Sequence, residues 1–463
     1  MIRFRKPSLR RTNRTIMQVL EQFLNSVSNV VWGPPLLILL FGTHIFLTLR
    51  LRFIQRYIGT AIRLSFQRKR EGAGDISHFG ALTTALAATI GTGNIVGVAT
   101  AISAGGPGAV LWMWLTGVFG IATKYAEAIL AVKYRVTNRQ GEMAGGPMYV
   151  LERGVKARWL GIVFAALTAV AAFGIGCMVQ SNSISSLVKE TFQIPPWITG
   201  AVMTLLVGVV ILGGIRSIAG VCARLVPFMA GFYAIGCIYL LLCNAQSLPH
   251  SLALIFQSAF TGHAAAGGFL GAGVQETIRF GIARGLFSNE SGLGSAPIVA
   301  AAAQTKNPVR QALVSATGTF WDTVIVCAMT GLVLVNSGEW SHGYQGAALT
   351  KTAFSDIPVV GPILLTFGLL TFVFSTLLGW SYYGEKSAEY LFGANIIKPY
   401  RWMWIAAVML GAVLSLPAVW SFADIANGLM AIPNLVSLLV LSSIVVAETR
   451  QILWSGKLED ETI

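Results

Sequence analysis

Charged side chains are scarce in this sequence. Only 11% of its 463 residues are Asp, Glu, Lys or Arg, whereas a soluble globular chain has roughly 25%. No charge occurs in the 44 residues from Gly80 to Thr123, and the mean hydropathy is +0.68. This composition excludes a soluble enzyme with one core and predicts an all-α integral membrane protein with many spans. The alternation typical of a membrane barrel is missing, so we expect the spans to be helices.

Cysteine and histidine are also sparse, with five of each. The cysteines lie within apolar segments and none has CxxC spacing, so the sequence predicts small buried side chains and no disulfide framework. The histidines show no HExxH pattern, and neither a serine elbow nor a pair of catalytic aspartates occurs. We therefore expect no zinc centre, no organic cofactor and no enzymatic activity.

In place of charge the sequence has a series of apolar segments, each near the 20 residues that cross a bilayer as a helix. We predict about eleven spans, numbered in chain order: 28–51, 80–103, 107–133, 159–180, 196–215, 221–243, 283–304, 308–335, 358–383, 402–420 and 424–447. A shorter apolar stretch, 245–262, is predicted to be an interfacial helix or a cap on an outer loop.

Basic residues indicate how these spans are oriented. The net charge is +14, but Lys and Arg are spread over several loops, so we expect no nucleic-acid partner. The loops that follow odd-numbered spans, together with the C-terminal tail and the adjoining span ends, contain 22 basic residues. The loops that follow even-numbered spans, with their adjoining span ends, contain 4. The first set is predicted to be cytoplasmic, which places the C-terminus inside and the N-terminus outside.

The segment before span 1 contradicts this orientation. It has six basic residues within positions 1–16, and Met17 follows them directly. We interpret 1–16 as an upstream extension and Met17 as a candidate for the natural start. The segment does not resemble a signal peptide, because its apolar run is far from the basic cluster and no cleavage site follows.

The chain repeats itself at a distance of 201 residues. Residues 91–119 and 292–320 share 9 identities in 29 positions without a gap, including Gly91 with Gly292 and Gly93 with Gly294. Chance similarity in a chain rich in Gly and Ala is the alternative. The copies begin at spans 2 and 7, and because five spans separate them, they cross the membrane in opposite directions. Such an inverted repeat is typical of secondary transporters, whose binding site lies near the bilayer midplane.

The predicted architecture is one N-terminal helix followed by two inverted five-helix repeats. Its segments are the basic extension 1–16, the first helix with a cytoplasmic loop 17–79, the first repeat 80–244, an outer loop with a short helix 245–282, the second repeat 283–450 and a cytoplasmic tail 451–463.

The centre of span 2 is weak as a helix. Its two glycines within Gly91–Asn94 cost roughly 2 kcal/mol of helix propensity, so we predict that the helix is broken there. A break exposes N–H groups that suit a carboxylate and carbonyl oxygens that suit Na⁺. We assign the amides of Gly93–Ile95 to a substrate carboxylate and the carbonyls of Ala87 and Ile90 to Na⁺. The alternative is that the glycines only permit close helix packing.

Span 7 contains a matching polar interruption, FSNESGLGSAP, at 287–297. Its Ser288 and Asn289 are candidate substrate contacts. Glu290 is costly at membrane depth and is therefore a functional candidate, for a substrate ammonium or a cation path. The alternative is a structural carboxylate that accepts hydrogen bonds from unwound backbone. Asp322 in span 8 either joins the cation path or caps the network.

Two further pairs of side chains have the chemistry of a site for a small amphoteric ligand. Span 4 places Phe173 and Gln180 about two turns apart, which predicts one shared face. Span 9 places Thr376 and Trp380 one turn apart. Each pair alone is more often a packing feature, but both lie on the third span of a repeat.

Span 3 contains a buried pair of opposite charges, Lys124 and Glu127. Their spacing of three residues predicts that they pair with each other on one helix face near the cytoplasmic end. We expect this pair to be structural.

Several long motifs resemble the alanine or glycine:cation symporter family, the sodium:alanine symporters of bacteria. They are VWGPP with LRLRF near span 1, GTGNIVGVA, GGPGAVLWMWLTGVFGIATKYAEAILAVKYR at 105–135, GGPMYVLERG, GLFSNESGLGSAPIVAAAA and FSTLLGWSYYGEKSAEYLFG. The resemblance extends from about residue 20 to 450. The basic extension before Met17 departs from the family, as does Leu111, where a Phe is expected.

The resemblance implies a leucine-transporter-like fold and Na⁺-coupled, in some members H⁺-coupled, uptake of alanine or glycine across the bacterial plasma (inner) membrane. Acceptance of D-alanine would follow from a pocket that holds only a methyl group. The implied substrate contacts are Thr92, Gly93, Asn94, Phe173, Gln180, Thr376 and Trp380. The implied sodium ligands are the carbonyls of Ala87 and Ile90 with Ser375 and Thr376.

The predicted mechanism is alternating access, with Na⁺ as the only metal and a membrane lipid environment. Three alternatives stay open at this point. They are a proton-coupled carrier, a carrier of another small neutral amino acid, and an ion channel, which would need a continuous pore.

Overall fold

The computed structural model of the protein describes residues 21–67, 72–261, 273–355, 358, 360–414 and 417–459. Within these ranges the chain is nearly all helical, with a single short hairpin in which Val136–Thr137 pairs with Met143–Ala144. The extension 1–16 and Met17 lie outside the described residues. The main helices are α1 (Glu21–Arg50), α2 (Ile58–Ser65), α3 (His78–Thr89), α4 (Val96–Gly105), α5 (Ala109–Lys133), α6 (Arg158–Phe192), α7 (Pro196–Ile211), α8 (Gly214–Cys243), α9 (Leu248–Thr261), α10 (Val274–Asn289), α11 (Pro297–Ala300), α12 (Pro308–Asn336), α13 (Gly346–Ser355), α14 (Val360–Phe392), α15 (Ile397–Val413), α16 (Pro417–Val440) and α17 (Ser442–Thr449).

Seven helices in the described ranges are long and apolar enough to cross a membrane: α1, α5, α6, α8, α12, α14 and α16. The protein is therefore a multi-pass membrane protein. Four predicted spans are absent from this set for two reasons. The helices α7 and α15 have only 16 and 17 residues, and spans 2 and 7 each fall on two shorter helices. The total of eleven crossings stays a prediction.

The helix assigned to span 7 begins earlier than the sequence predicted. α10 starts at Val274, nine residues before the expected boundary at 283. Its first turns contain Gln275, Glu276 and Arg279, which lower the local hydropathy and hide the helix from a search for apolar runs. The segment 245–282, predicted as an outer loop with a short helix, therefore contains α9 and also the start of α10.

Both Gly-x-Gly sequences lie between two helices. α3 ends at Thr89, Ile90 has extended backbone angles, and α4 begins at Val96. α10 ends at Asn289, and Glu290 follows in the left-handed region with φ of 54°. Gly292 and Gly294 also have positive φ, 87° and 88°, a conformation that glycine adopts without steric cost. We call residues 90–95 the first interruption and 290–296 the second.

The two interrupted segments run antiparallel, as contacts at three levels show. At one end the Asp75 amide donates to the carbonyl of Ala302 at 2.8 Å. At the other end the Thr277 hydroxyl donates to the carbonyl of Gly105 at 2.7 Å. Between them, a Cβ on Gly93 would lie 3.5 Å from the ring of Phe287. The two interruptions therefore lie side by side.

The hairpin lies at the end of the molecule that the sequence assigns to the cytoplasm. Its Glu142 carboxylate accepts from Lys386 Nζ of α14 at 2.8 Å, and Lys386 is also 2.9 Å from Glu389. Its Met143 amide donates to Asp75 at 2.8 Å, next to the start of α3. The hairpin thus connects α14 to the entrance of the interrupted segments.

Candidate functional site

The first interruption meets α6 and α14 at Gly91. A Cβ on Gly91 would lie 2.6 Å from Thr376 Oγ1 and 3.5 Å from Gln180 Oε1, so this position needs a glycine. The amide of Gln180 donates to the carbonyl of Ile175 at 3.1 Å, but its buried Oε1 has no hydrogen-bond partner among the described residues. Such an orphaned acceptor is costly unless a ligand or water satisfies it.

Two of the residues predicted to bind Na⁺, Ile90 of the first interruption and Thr376 of α14, are in contact. The Thr376 hydroxyl is 3.3 Å from the carbonyl oxygen of Ile90. Ser375 adjoins it and is fully buried, as is Ala87 in the last turn of α3. The hydroxyls of Ser375 and Thr376 both lie 2.9 Å from the carbonyl of Phe372 and can donate to it. When their hydrogens point to Phe372, the hydroxyl lone pairs are free to accept a cation.

Asn94 acts within the protein through its side chain. Its Oδ1 accepts from the Gly91 amide at 2.9 Å, which closes the interruption like a helix cap. Its Nδ2 donates to Asp322 Oδ1 at 2.7 Å. Asp322 Oδ2 in turn accepts from Ser288 at 3.0 Å and from Thr323 at 2.7 Å. The carboxylate of Asp322 therefore ties the first interruption to the last turn of α10.

The second interruption binds a carboxylate of the protein itself. Glu127 Oε1 accepts from the amides of Gly292 and Gly294, both at 3.1 Å, and from Asn434 at 2.7 Å. The sequence predicted that Glu127 would pair with Lys124, and that prediction was wrong. The spacing of the two residues was permissive, but the unsatisfied backbone N–H groups of the interruption are the stronger partners for a buried carboxylate.

The remaining polar residues of the second interruption also bond locally. Asn289 Oδ1 accepts from the Ser291 amide at 2.9 Å, and Ser295 donates to the Glu290 carboxyl. The Trp380 side chain also lies close to the Glu290 carboxyl. Glu290 is therefore adjacent to the face of α14 that contains Thr376 and Trp380. This proximity could not be predicted from the sequence.

The ring of Phe173 does not share a face with Gln180 in the way that the sequence predicted. It packs against Tyr400 and Trp404 of α15, with centroid distances of 5.1 and 5.4 Å. The reason is a π-helical segment, Ala172–Met178, which includes Phe173 and ends two residues before Gln180. Its wider turn changes the angular spacing on which the prediction rested. The same segment contains Gly176, whose Cα faces the base of the Trp380 side chain.

A cavity of about 80 Å³ lies beside the first interruption, on the side assigned to the outer medium. Its lining includes Arg279, Arg284, Phe287 and Asp424. Phe287 separates it from Gly93, since the Phe287 ring lies against the Cα of that glycine. The cavity therefore has two arginines and one carboxylate on its walls and an aromatic ring at its base.

Two residues of this network were not identified as functional candidates from the sequence. Phe287 gave no signal, because it is one of 25 phenylalanines. Glu127 did give one, since a carboxylate in an apolar span is rare. Its partners could not be found, because they lie 165 and more residues away.

Comparisons with known proteins agree with this architecture. A model of the sodium:alanine symporter family matches residues 17–461. An uncharacterized transporter of Haemophilus influenzae is 52% identical over 93% of this chain and 96% of its own. The sodium/alanine symporter AgcS of Methanococcus maripaludis is 51% identical over 92% of this chain and 96% of its own. The crystal structure of MhsT in complex with L-phenylalanine has a TM-score of 0.60 over 84% of this chain and 95% of that one, at 15% identity. That likeness shows the fold, which is the leucine-transporter-like fold that the sequence resemblance implied.

Proposed function

The chain belongs to the sodium:alanine symporter family, and on that premise we propose that this transporter couples the entry of Na⁺ to the uptake of a small neutral amino acid, alanine or glycine. One observation supports this proposal most directly. Thr376 Oγ1 lies 3.3 Å from the Ile90 carbonyl, where Na⁺ ligands are expected. The same Thr376 and the unsatisfied Gln180 Oε1 flank Gly91 of the first interruption.

The proposed substrate site uses both ends of a zwitterion. The amides of Gly93–Ile95, with Thr92, would receive the carboxylate at the positive end of α4. Gln180 Oε1 would accept from the ammonium group, because it has no other donor among the described residues. Asn94 would contribute its backbone amide and not its side chain, which is occupied by Gly91 and Asp322. That amide lies 3.3 Å from the Gly91 carbonyl, so the substrate carboxylate would share it with this carbonyl.

The residues around these groups would set the size and shape of the pocket. Trp380 and, more remotely, Phe173 would limit the substrate side chain to a hydrogen or a methyl group. A methyl group offers little for chiral selection, so we expect D-alanine to be accepted with L-alanine. Ser288 and Asn289 would act through the interruption that they stabilise.

The proposed sodium site consists of the carbonyls of Ala87 and Ile90 with the hydroxyls of Ser375 and Thr376. Oxygen ligands of this kind suit a hard cation. Thr376 would be shared between ion and substrate sites, which explains coupling, because each ligand would fix the group that the other needs. At a membrane potential of −100 mV, one entering Na⁺ gains about 2.3 kcal/mol from the field.

The proposed cycle is alternating access by two inverted five-helix repeats, 80–244 and 283–450, after the first helix. Interrupted helices in spans 2 and 7 would rock as one body, because Asp322 and the hydrogen bonds at both ends connect them. Substrate would enter past Phe287 and leave beside the hairpin. The proposed location is the plasma membrane of a bacterial cell, with the N-terminus outside and the C-terminus inside.

A proton-coupled carrier is the second candidate. Glu290 and Asp322 favour it, since two buried carboxyls lie next to the proposed site. A carboxyl that exchanges its proton between the two sides of the membrane would replace the sodium requirement. The two candidates differ in the ion that drives accumulation and not in the cargo.

Uptake into proteoliposomes tests both candidates. Radiolabelled alanine or glycine is supplied with Na⁺ or K⁺ outside, with and without a pH gradient. We expect accumulation that requires Na⁺. Accumulation driven by the pH gradient with K⁺ outside would establish the proton-coupled alternative. Uptake that depends on neither Na⁺ nor the pH gradient would contradict both candidates. Thr376→Ala and Trp380→Ala are the matched site variants, and unchanged alanine affinity in both would remove them from the site.

A further inference from the structure

One basic residue lies apart from all the others. Of the 33 Lys and Arg residues, 32 belong to the N-terminal extension, the loops, the tail or the ends of predicted spans. The exception is Lys124, in the interior of α5. Its side chain is 4% exposed, and its Nζ has no hydrogen-bond partner among the described residues. A buried ammonium group without hydrogen bonds is energetically unfavourable. We therefore expect Lys124 either to bind a ligand or to stabilise a particular geometry of the neighbouring helices.

The surroundings of Lys124 show what it faces. It lines a cavity of about 10 Å³ whose other polar walls are Thr89, Asn289 and Ser315. Thr89 is the last residue of α3 and Asn289 is the last residue of α10. The cavity is therefore located where the two interrupted segments stop being helical. Its volume corresponds to about one water molecule.

Two helix C-termini converge at this point. The last carbonyl groups of a helix lack intrahelical partners and carry partial negative charge. A cation between two such ends stabilises both, and one water molecule in the cavity would complete the contact. Ala85 and Thr89 place this cavity on one face of α3, while Ala88 and Ile90 face α14 on the other. The C-terminal end of α3 thus has two separate positions for a positive charge.

The charged and titratable groups around Lys124 come from several elements. Glu127 on α5, Glu290 in the second interruption and Asp322 on α12 all interact electrostatically with it, as does His44 on α1. The ionisable neighbours of Lys124 thus include three carboxyl groups, which argues against a bound anion in the cavity.

We propose that Lys124 is a tethered cation, which holds the ends of α3 and α10 in the binding geometry and occupies a position that would otherwise require a second mobile cation. Lys124 is then a positioning residue, because it touches neither the substrate nor the proposed sodium ligands. The inference rests on the proposed function and adds its stoichiometry: one Na⁺ accompanies each amino acid.

The test compares sodium activation of alanine uptake in proteoliposomes for the wild type, Lys124→Ala, Lys124→Met and Lys124→Arg. Lys133→Met is the control, since Lys133 lies on the same helix but pairs with Glu448 near the surface. We expect a Hill coefficient near one for the wild type and the control. In Lys124→Ala we expect the sodium concentration for half-maximal uptake to rise about tenfold, the scale of a charge lost from a partly buried helix terminus.

Chemical rescue separates a tethered cation from a merely structural side chain. Lys124→Ala leaves room for a small cation. We expect added methylammonium to restore sodium activation in this variant. Without methylammonium, a second Na⁺ is expected to occupy the position and to raise the Hill coefficient toward two. Lys124→Met fills that room without charge and should respond to neither. Lys124→Arg should keep the wild-type coefficient.

Three results would overturn the inference. They are a wild-type Hill coefficient of two, sodium activation in Lys124→Ala equal to that of the wild type, and equal methylammonium rescue of the alanine and methionine variants. If neither neutral variant folds, Lys124→Arg decides, and a coefficient of two in that variant overturns the inference as well. Absence of sodium-driven uptake by the wild type would instead contradict the proposed function itself.

Discussion

Asp322 Oδ1 lies 2.7 Å from Asn94 Nδ2, and this bond joins α12 to the first interruption across 228 residues of sequence. The other oxygen of the same carboxylate accepts from Ser288, at the end of α10. One buried side chain therefore fixes the distance between the two interruptions. Because each interruption has only a few i→i+3 backbone hydrogen bonds of its own, its shape depends on such contacts from neighbouring helices.

Removal of this carboxylate should loosen both interruptions. Asp322→Ala would leave Asn94 and Ser288 with only the weak Cys327 sulfur acceptor and, for Asn94, the backbone carbonyl of residue 322 at 3.3 Å, so we expect a loss of about 2 kcal/mol in stability. Thermal unfolding of the detergent-solubilised protein measures the effect. Asp322→Asn keeps one acceptor oxygen and should lose less. Equal melting temperatures for wild type and Asp322→Ala would show that the network contributes nothing to the fold.

Gly91 and Gly97 form a matched pair for testing the first interruption. A Cβ at position 91 would lie 2.6 Å from Thr376 Oγ1, whereas at position 97 the nearest atom is 4.0 Å away. We expect Gly91→Ala to reduce alanine uptake more than about tenfold, since overpacking by one methyl costs roughly 1–3 kcal/mol. Gly97→Ala should stay near the wild type. Similar uptake by the two variants would mean that α14 does not approach the substrate path at Gly91.

The hydroxyl of Thr376 should matter more to sodium than its methyl group does. Thr376→Val keeps the shape and removes the oxygen, so we expect the half-saturating Na⁺ concentration to rise about tenfold, the effect of one lost contact of about 1.4 kcal/mol. Thr376→Ser restores the oxygen and should restore sodium affinity. Sodium-dependent thermal stabilisation provides a second measurement without transport. A serine variant as poor as the valine variant would argue for a packing role.

Trp380 depends on a glycine of α6 for its position. A Cβ on Gly176 would collide with the base of the Trp380 side chain, whereas a Cβ on Gly220 would meet nothing within 4 Å. Gly176→Ala should push the indole toward the proposed pocket and reduce uptake of alanine more than uptake of glycine. Gly220→Ala is the control. An unchanged ratio of alanine to glycine uptake in Gly176→Ala would remove Trp380 as the limit on substrate size.

The salt bridges beside the hairpin are predicted to stabilise the fold, because their shared lysine is buried. Lys386 is 2% exposed and lies between Glu142 and Glu389. Lys386→Met removes the cation beside the buried Glu389 carboxylate, which keeps only the Asn138 amide as a donor, and should cost about 2 kcal/mol. Glu142 is 37% exposed and loses less, because water screens its charge. Lys398 is exposed, and Lys398→Met should change stability by less than about 1 kcal/mol. The triple variant with Glu142→Gln and Glu389→Gln should regain much of the loss; no recovery would point to packing of the lysine stem instead.

The sequence predicted the features that depend on local chemistry. Gly91 and Gly93 marked the end of α3 because glycine weakens any helix, and the second copy marked the end of α10. Prediction from the sequence failed where the partner of a residue is distant in the chain, and where a helix changes its pitch. The partners of Glu127 lie in the second interruption and on α16, so spacing along α5 suggested Lys124 instead. The π-helical segment in α6 leaves no clear sign in the sequence, and the predicted face of Phe173 and Gln180 was lost with it.

The bonds of Glu127 have a consequence for how many molecules can be bound at once. Both interruptions contain Gly-x-Gly, and the two would attract anions alike if left to themselves. In the second, the amides of Gly292 and Gly294 already face a carboxylate of the chain. In the first, the cap on Gly91 is the neutral amide of Asn94. Under the proposed function only the first interruption would be free to receive a substrate carboxylate, so each transporter would bind one amino acid per cycle.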